Sequence, residues 1–360
     1  MKKIVTVLGA RPQFVKAAVL SRVIKKYNAI QEVIVHTGQH FDMNMSDVFF
    51  DEMMIPKPKY NLDINSMSHG AMTGKMLEGI ESILLKEKPD AVVIYGDTNS
   101  TIAGALAAKK MDIKVVHIEA GLRSFNMKMP EEVNRILTDR ISDLLSCPTQ
   151  IAINNLEREG YKNLPIQIEK HGDIMKDAAE YYSQFSSEKS SIIEDLALTK
   201  EKFVLATIHR QENTDDIEKL KSIFSALEEI HKQHPVVLPL HPRTKSILEE
   251  NSIAPKITLI DPVGYYSMLE LLKNCLMVVT DSGGLQKEAF FNKKHCVIAR
   301  DETEWLELVE NGFAEVVGSN KNLLLEVYKK YTNSNKDFSL ELYGNNVGEK
   351  IYQSIYKLIQ

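Results

Sequence analysis

Carboxylates close to the ends of two apolar segments are the first candidates for chemistry in this chain. Asp97 follows the segment AVVIY, Glu119 follows VVHI, and Glu131 and Glu132 lie a short loop further on. Asp97 could simply cap the helix that starts beside it, which is a common role for Asp. Four such groups exceed what helix caps require, and positioned carboxylates act as acids and bases in enzymes. The sequence therefore predicts a proton-transfer site in the first half of the chain.

Basic residues near the N-terminus form a second candidate site. The segment LGARPQFVKAA contains Gly9 for a tight turn, Pro12 for a first helical position, and Arg11 with Lys16 in the first helical turns. Free backbone amides at a helix N-terminus favour anions. The segment predicts a phosphate or carboxylate site, with solvated helix charges as the alternative.

Two histidine-containing segments follow strand patterns in the second half. His209 and Arg210 follow FVLAT, and His241 follows VVLPL in the segment LHPR. We predict that these three side chains contact substrate and that His209 acts in catalysis. A purely structural role for each histidine is the alternative.

The segment VVTDSGGLQKEAF gives the most specific signal for phosphate. Ser282, Gly283 and Gly284 lie between a strand pattern and a helix pattern, with Glu288 two turns into the helix. Exposed amides at such a helix start suit a diphosphate, and Glu288 suits ribose hydroxyls. Arg300, after the next strand pattern, could stabilise a departing diphosphate. An ordinary glycine-rich turn is the alternative.

Known cofactor motifs are absent from the sequence. Neither G-x-G-x-x-G nor G-x-x-x-x-G-K-[ST] occurs in it. We therefore predict that no nicotinamide, other cofactor or metal takes part.

Short β-branched runs alternate with longer helical patterns, which predicts an α/β fold with parallel sheets. A chain of 360 residues is long enough for more than one hydrophobic core. We place an N-terminal Rossmann-like domain at 1–172, a C-terminal Rossmann-like domain at 173–345, which carries the predicted diphosphate site, and a C-terminal helix at 346–360 that could pack back on the N-terminal domain. Ligands of open α/β sheets bind outside the carboxyl ends of the strands. We therefore expect the two domains to face one another across a cleft that holds the substrate.

The charge and cysteine content of the chain argue against some classes of protein, such as nucleic-acid-binding and membrane-bound proteins. The net charge of −5 gives no broad basic field for nucleic acid or anionic membrane. Cys147, Cys275 and Cys296 are far apart, and we expect all three to be reduced core residues. The sequence has no signal-peptide pattern and no long apolar span, so the expected location is cytoplasmic.

Taken in order, nine segments resemble the non-hydrolysing UDP-N-acetylglucosamine 2-epimerases: GARPQFVK, HTGQHFDMNM, YGDTNST, HIEAGLRS, MPEEVNR, THRQENTDD, LPLHPR, TDSGGLQKEA and ARDETEW. The resemblance covers nearly the whole chain. It implies two Rossmann-like domains of the kind seen in GT-B glycosyltransferases, a UDP-sugar bound between them, and a homodimer.

The resemblance also implies roles for individual residues. Its catalytic acids and bases match Asp97, Glu119, Glu131 and His209; its cationic groups near substrate match Arg11 and Lys16; and its UDP-binding residues match Ser282, Gly283, Gly284, Glu288 and Arg300. The family reaction is anti elimination of UDP to a 2-acetamidoglucal, followed by re-addition of UDP with the proton returned to the other face of carbon 2. The hydrogen on carbon 2 has no adjacent carbonyl, so a base can remove it only if negative charge leaves the sugar at the same time. Loss of UDP from carbon 1 carries that charge away, and fixed positive charge around the diphosphate favours this step.

Two departures from the family pattern bear on regulation and substrate. Phe41 and Asp42, together with Ser68 to Gly70, replace a set associated with an allosteric substrate site, so activation by substrate is not expected. Trp305 in DETEW resembles the branch acting on UDP-2,3-diacetamido-2,3-dideoxyglucuronate. The leading hypothesis is conversion of UDP-GlcNAc to UDP-ManNAc for surface polysaccharide, and the diacetamido uronate is the alternative substrate. A hydrolysing 2-epimerase, a GT-B glycosyltransferase and a nucleotide-sugar sensor are further alternatives.

Overall fold

A computed structural model of the chain describes residues 1–39, 50–51 and 54–360, with only the backbone of Arg11. The chain divides into two compact units. The first comprises Met1–Ala178 with Glu341–Gln360, and the second comprises Ala179–Leu340. The sequence-based boundaries were placed at 172/173 and 345/346.

A seven-stranded parallel sheet forms the centre of the first unit, with strand order β3-β2-β1-β4-β5-β6-β7. Its strands are β1 (Lys2–Leu8), β2 (Ile30–His36), β3 (Tyr60–Asn61), β4 (Ala91–Tyr95), β5 (Lys114–Ile118), β6 (Leu144–Cys147) and β7 (Gln167–Lys170). The central strand β4 is buried along its whole length. An all-apolar strand of this kind is expected where helices cover both faces of a sheet.

Helices and a short 3-10 turn (Tyr161–Asn163) accompany this sheet. The helices are α1 (Arg11–Tyr27), α2 (His69–Glu87), α3 (Asn99–Lys110), α4 (Pro130–Ile141), α5 (Gln150–Arg158) and, near the C-terminus, α16 (Val347–Leu358). A further helix, α6 (Ile174–Ser183), begins in the first unit and ends in the second. Helix α3 lies close to the sheet, because a Cβ at Gly104 would meet Ile94 at 3.0 Å and Val7 at 3.4 Å.

The C-terminal helix α16 packs on α1 within the first unit. The rings of Tyr27 and Tyr352 stack at 4.7 Å between centroids, and Lys26 Nζ lies 2.5 Å from Glu349 Oε1. Tyr352 is buried by this contact. The last residues of the chain are therefore part of the core of the first unit.

The segment around Gly172 crosses the segment around Tyr343 at close range. The Asp173 amide donates to the Tyr343 carbonyl oxygen at 2.8 Å, and a Cβ at Gly172 would overlap that same oxygen. Gly172 also has φ of +106°, in the region that favours glycine. Glycine is required here for both its conformation and its size.

We expect Gly172→Ala to destabilise the protein far more than Gly160→Ala. Gly160 also has positive φ, +81°, but among the described residues a Cβ there meets nothing within 4 Å. Gly160→Ala should therefore cost only the strain of a left-handed residue, about 1–2 kcal/mol. Gly172→Ala should add an overpacking penalty of about 1–3 kcal/mol. Urea unfolding of both variants measures this difference, and equal midpoints would refute the assigned crowding.

The second unit contains a six-stranded parallel sheet with strand order β10-β9-β8-β11-β12-β13. Its strands are β8 (Val204–Thr207), β9 (Val236–Pro239), β10 (Thr258–Ile260), β11 (Met277–Thr280), β12 (Cys296–Ile298) and β13 (Ala314–Val316). Its core includes Ala206, Leu227, Val236 and Val279, all with no exposed surface. The two sheets together confirm the predicted α/β class with two Rossmann-like units.

The helices of the second unit are α7 (Ser186–Lys189), α8 (Ile192–Asp195), α9 (Gln211–Thr214), α10 (Ile217–His231), α11 (Pro242–Glu250), α12 (Tyr265–Asn274), α13 (Gly283–Phe291), α14 (Leu306–Glu310) and α15 (Lys321–Thr332). Helices α11 and α13 begin directly after β9 and β11. Their N-termini therefore lie at the carboxyl edge of the sheet, where the motifs were predicted. Across the described part of both units, no helix is long and apolar enough to span a membrane.

All three cysteines are buried free thiols, as predicted. Burial raises the pKa of Cys275 to about 12 and also raises the pKa values of Cys147 and Cys296. Because the thiolate is the reactive form, these side chains are unreactive components of the core.

Candidate functional site

Lys16 and Glu119 form a buried ion pair at the carboxyl edge of the first sheet. Lys16 extends from the second turn of α1, and Glu119 is the residue that follows β5. Their side chains are 7% and 13% exposed. Glu119 has φ of +72°, a strained conformation for a residue other than glycine. Backbone strain of this kind is concentrated at functional sites.

The turn that carries Asp97 packs against this ion pair. Its preceding residue, Gly96, has φ of +64°, and a Cβ there would lie 3.3 Å from Glu119 Oε2 and 3.7 Å from Lys16 Nζ. Close packing thus leaves little room for a side chain at Gly96. The arrangement brings the carboxylate-bearing segments of β4 and β5 together, as the sequence predicted.

Asp97 forms an ion pair with Arg135 of α4, and its side chain is 32% exposed. The alternative role as a helix cap is wrong, because the N-cap of α3 is Thr98, whose hydroxyl accepts from the Thr101 amide. Arg135 is almost buried and also pairs with Glu132 at 2.8 Å. Asp97 is therefore a partly exposed carboxylate that is held from one side by a buried guanidinium.

Glu132 is not one of the carboxylates that are available for proton transfer. It has no exposed surface and accepts hydrogen bonds from the amides of Ser124 and Phe125 at 2.8 to 3.1 Å. Grouping it with the proton-transfer carboxylates was wrong, because its oxygens stabilise the loop before α4. Its neighbour Glu131 is half-buried on the first turn of the same helix.

The start of α4 is linked to the Asp97 segment by a second contact. Asn134 Nδ2 donates to the Asp97 carbonyl oxygen at 2.9 Å and to Asn99 Oδ1 at 3.3 Å. Glu131 lies one helical turn before Asn134 and Arg135. The first unit thus places Lys16, Asp97 and Glu119 together, with Glu131 on the helix that holds Asp97.

Gln13 ties the first turn of α1 to the Asp97 segment. Its side-chain oxygen accepts from the Gly9 amide at 2.7 Å, and its amide nitrogen donates to the Tyr95 carbonyl oxygen at 2.6 Å. Sequence analysis missed this residue, although a Gln at the third helical position is typical of a capping box. Gly9 was assigned to a tight turn; its small size is instead needed because a Cβ would overlap Ser100 Oγ.

In the second unit, a buried carboxylate organises the turn after β8. Asp281 has no exposed surface and accepts from the backbone amides of His209 and Arg210 at 2.9 to 3.1 Å, and from Asn213 Nδ2 at 3.1 Å. Sequence analysis missed this function of Asp281. The contacts fix His209 and Arg210 beside the start of α13.

His209 and His241 stack on one another at 5.4 Å between ring centroids. His241 is also the N-cap of α11, since its Nδ1 accepts from the Arg243 amide at 3.2 Å. Arg243 is directed elsewhere, to Thr214 Oγ1 at 3.0 Å and to Asp215. The two predicted histidines therefore lie together, while His241 has a structural role as well.

Protonation of His209 is disfavoured in the folded chain. Burial lowers its pKa, and His241 and Arg210 lower it further, although Asp281 acts in the opposite direction. The unfolded chain therefore binds this proton more readily, and its share of stability is lost as pH falls below about 6.5. We expect the Tm of His209→Gln to fall less than that of the unaltered protein between about pH 7.5 and about pH 5.5. Calorimetry at both pH values checks this, and an equal or larger fall would contradict it.

The segment Ser282 to Gly284 opens helix α13 as predicted. Ser282 is the N-cap, and both glycines lie in the first turn. A Cβ at Gly284 would meet no described atom within 4 Å, whereas one at Gly283 would lie 3.5 Å from Glu304 and 3.8 Å from Arg210. The free amides of this turn are therefore uncovered at Gly284 and suited to an anion.

Arg300 follows β12, as predicted, but its charge is already paired. It is 2% exposed and contacts Glu304 through both terminal nitrogens at 3.1 Å. Trp305 lies beside this pair in sequence, with Lys287 Nζ 3.9 Å from the centre of its ring. Lys287 and Trp305 are both buried. Trp305, the predicted departure from the family pattern, thus forms a cation–π pair with Lys287 of the helix that starts at the SGG turn.

The predicted site residues fall into two groups, one in each unit. The first unit holds Lys16, Asp97, Glu119 and Glu131, and the second holds His209, Arg210, His241, Ser282, Gly283, Gly284, Glu288 and Arg300. The side chain of Arg11, and the predicted departures at Phe41 and Asp42, lie outside the described residues.

A sequence model described as UDP-N-acetylglucosamine 2-epimerase matches residues 22–356. The chain is 49% identical to the UDP-2,3-diacetamido-2,3-dideoxy-D-glucuronate 2-epimerase of Pseudomonas aeruginosa, over 99% of this chain and all of that protein. It is 42% identical to the UDP-N-acetylglucosamine 2-epimerase of Methanocaldococcus jannaschii, over 97% of each chain.

Solved structures show the same similarity in three dimensions. The crystal structure of the Methanocaldococcus jannaschii UDP-GlcNAc 2-epimerase in complex with UDP-GlcNAc and UDP gives a TM-score of 0.90, covering 99% of this chain and 100% of that one. The Neisseria meningitidis UDP-GlcNAc 2-epimerase bound to UDP-GlcNAc gives 0.88 at 30% identity, with the same coverage.

Proposed function

Because the chain belongs to the UDP-N-acetylglucosamine 2-epimerase family, we propose that it inverts carbon 2 of a UDP-linked N-acetylated sugar without net hydrolysis. The observation that carries the proposal is the packing of the Gly96–Asp97 turn against the Lys16–Glu119 ion pair, which brings two carboxylate-bearing segments and a cation to one sheet edge. The reaction is anti elimination of UDP followed by its re-addition.

The first unit supplies the groups that this reaction needs for proton transfer. Removal of the hydrogen from carbon 2 requires a carboxylate base, and its return to the opposite face requires an acid. Asp97 is partly exposed and available to a ligand, and Glu131 lies on the adjoining helix. We assign proton transfer to these two residues, and we assign to Lys16 and Glu119 a fixed pair of charges beside them.

The second unit supplies groups that suit uridine diphosphate. The N-terminus of α13 offers uncovered amides at Gly284, and Arg210 lies near Gly283. Backbone amides and fixed positive charge stabilise a diphosphate, both when bound and when it departs. We assign ribose contact to Glu288 and the diphosphate to Ser282, Gly283 and Gly284. His209, whose amide donates to Asp281 just before this turn, and His241, which stacks on His209, are the remaining residues of the second unit that we assign to the site.

Two sugars are candidate substrates. UDP-GlcNAc is the substrate most directly related to the family description and would give UDP-ManNAc. The relative from Pseudomonas aeruginosa, at 49% identity, supports the uronate that carries acetamido groups at carbons 2 and 3. The sequence resemblance at Trp305 also supports this second candidate.

Incubation of the purified chain with each UDP-sugar separately tests the proposal. NMR analysis should show the 2-epimer of one sugar accumulating to equilibrium while total UDP-sugar stays constant. Progressive release of free sugar and UDP would establish a hydrolysing enzyme instead. Turnover of neither sugar in the absence of an acceptor would remove the substrate assignment and favour a glycosyltransferase or a sensor.

A further inference from the structure

A buried pair that none of the roles above uses joins His117 to Asp139. His117 lies on β5 and Asp139 on α4, and neither has any exposed surface. His117 Nδ1 is 2.7 Å from Asp139 Oδ1, and His117 Nε2 is 2.7 Å from the carbonyl oxygen of Gly96. Both ring nitrogens are therefore engaged inside the first unit.

These contacts hold the His117 ring from both sides. A carbonyl oxygen can only accept, so the contact to Gly96 requires a hydrogen on Nε2. Burial opposes ionisation of Asp139, but His117 and Arg123 outweigh it and keep the pKa of this carboxyl below its usual range. Asp139 holds the other ring nitrogen, Nδ1, and so fixes the orientation of the ring.

Asp139 extends the network through its other oxygen. Asp139 Oδ2 accepts from the Gly121 amide at 3.1 Å and from Arg123 Nη1 at 2.7 Å. Arg123 in turn contacts Glu159 through two nitrogens at 2.7 Å. Arg123 therefore links the buried carboxylate of Asp139 to Glu159, whose side chain is 32% exposed.

The His117–Asp139 pair contacts three segments of the first unit. Each segment carries a residue that we assign either to proton transfer or to the fixed pair of charges beside it. Gly96 directly precedes Asp97, Gly121 lies two residues after Glu119, and Asp139 lies on the helix whose first turn carries Glu131. The pair itself is shielded from solvent by the sheet and helix around it. It can therefore act on the reaction only through the backbone that it holds.

We infer that His117 and Asp139 are positioning residues for the proposed 2-epimerisation: the His117 ring fixes the Gly96 carbonyl, and with it the orientation of Asp97, relative to Glu119 and α4. The inference rests on the proposed function only for its catalytic readout. Misplacement of a reacting group by about 1 Å can lower a rate by about 100-fold.

Two substitutions at His117 separate positioning from simple stability. Gln places its amide nitrogen near the position of Nε2 and can keep the bond to Gly96, whereas Asn places its amide nitrogen near Nδ1 and keeps only the bond to Asp139. We expect His117→Asn to lower kcat about 100-fold with KM for the UDP-sugar little changed, and His117→Gln to recover most of that loss. Equal kcat in the two variants, or kcat that follows Tm alone, would overturn the inference.

His171 provides the matched control. It is also buried in the first unit and contacts a carboxylate, with Nε2 2.9 Å from Glu169 Oε2, but it faces Ser146 and Ser354 rather than the Gly96 turn. His171→Asn and His171→Gln should alter Tm without a difference in kcat between them. A kcat difference at His171 as large as that at His117 would contradict a specific role for the Gly96 contact.

A structural readout keeps the test independent of catalysis. We expect ¹⁵N NMR of the unaltered protein to show a hydrogen on Nε2 of His117, as the contact to the Gly96 carbonyl requires, and a crystal structure of His117→Asn to show the Gly96–Asp97 turn displaced. An Nε2 without a hydrogen or an unmoved turn would refute the inference even if the protein acted on neither UDP-sugar. Conversely, an inactive unaltered protein with a displaced turn in the variant would reject the proposed function alone.

Discussion

Asp97→Asn is expected to lower kcat for 2-epimerisation by about 1,000-fold, in the range typical of removing a general acid or base. Asparagine keeps the size of the side chain and can still accept from Arg135, which also retains its contact with Glu132. The fold should therefore be preserved. UDP binding is assigned to the second unit, so the Kd for UDP measured by calorimetry should change little.

Asp90→Asn is the matched control for this variant. Asp90 directly precedes β4, at the opposite end of the strand from Asp97, and it accepts from the Lys3 amide at 2.8 Å. Its substitution should leave kcat within about twofold, since surface changes have small effects. Near-normal kcat in Asp97→Asn, or a loss in Asp90→Asn as large, would refute the assigned role of Asp97.

Lys16→Met and Glu119→Gln are each expected to destabilise the protein by about 3–5 kcal/mol, because each leaves the other charge buried without its partner. The double variant removes both charges and should cost much less than the sum of the two single changes. Catalysis should behave differently: kcat should be reduced at least about 100-fold in all three variants, since each removes at least one of the two charges that we assign beside the sugar. Urea unfolding and initial rates on the same samples measure both effects.

The exposed ion pair Lys162–Glu157 is the control for the single and double variants of Lys16 and Glu119. Its side chains are 64% and 41% exposed, and its nitrogen and oxygen are 3.1 Å apart. Lys162→Met with Glu157→Gln should give a coupling energy of only about 0.2–1 kcal/mol and normal kcat. A coupling energy no larger at Lys16 and Glu119, or normal kcat in their double variant, would contradict a charged pair that serves the reaction.

The strands could be predicted because most of them are apolar runs bounded by turns. β4 and β11, for example, are continuous buried segments that only a sheet covered on both faces accommodates. The two strands that sequence analysis missed, β3 and β7, are the edges of the first sheet. β3 has two residues and β7 is the polar segment QIEK, so neither has an apolar pattern to detect.

Candidate site residues could be predicted where a motif placed them at a strand end, but their partners could not. Arg135 lies 38 positions after Asp97 and contacts it only because α4 packs beside the sheet edge. The sequence did carry one signal for this network. Glu132, Arg135 and Asp139 share the buried face of α4, and charged residues at that spacing on an inward face require partners.

The roles of Asp281 and Glu132 were hidden for a different reason. Both carboxylates accept backbone amides of a neighbouring loop, and such contacts depend on the path of the loop rather than on residue type. Asp in a TDSGG segment and Glu at a helix start are equally compatible with ligand binding. Only the three-dimensional structure separates the carboxylates that shape loops from Asp97, which remains partly exposed.

Solvent deuterium incorporation tests the central claim most directly. The protein is incubated in heavy water with the UDP-sugar that it turns over, and NMR follows the hydrogen on carbon 2. We expect deuterium to replace this hydrogen in the recovered UDP-sugar, the bond to UDP to be intact at the end, and Asp97→Asn to slow the exchange by about 1,000-fold. Epimer formation with the original hydrogen retained on carbon 2 would contradict the central claim.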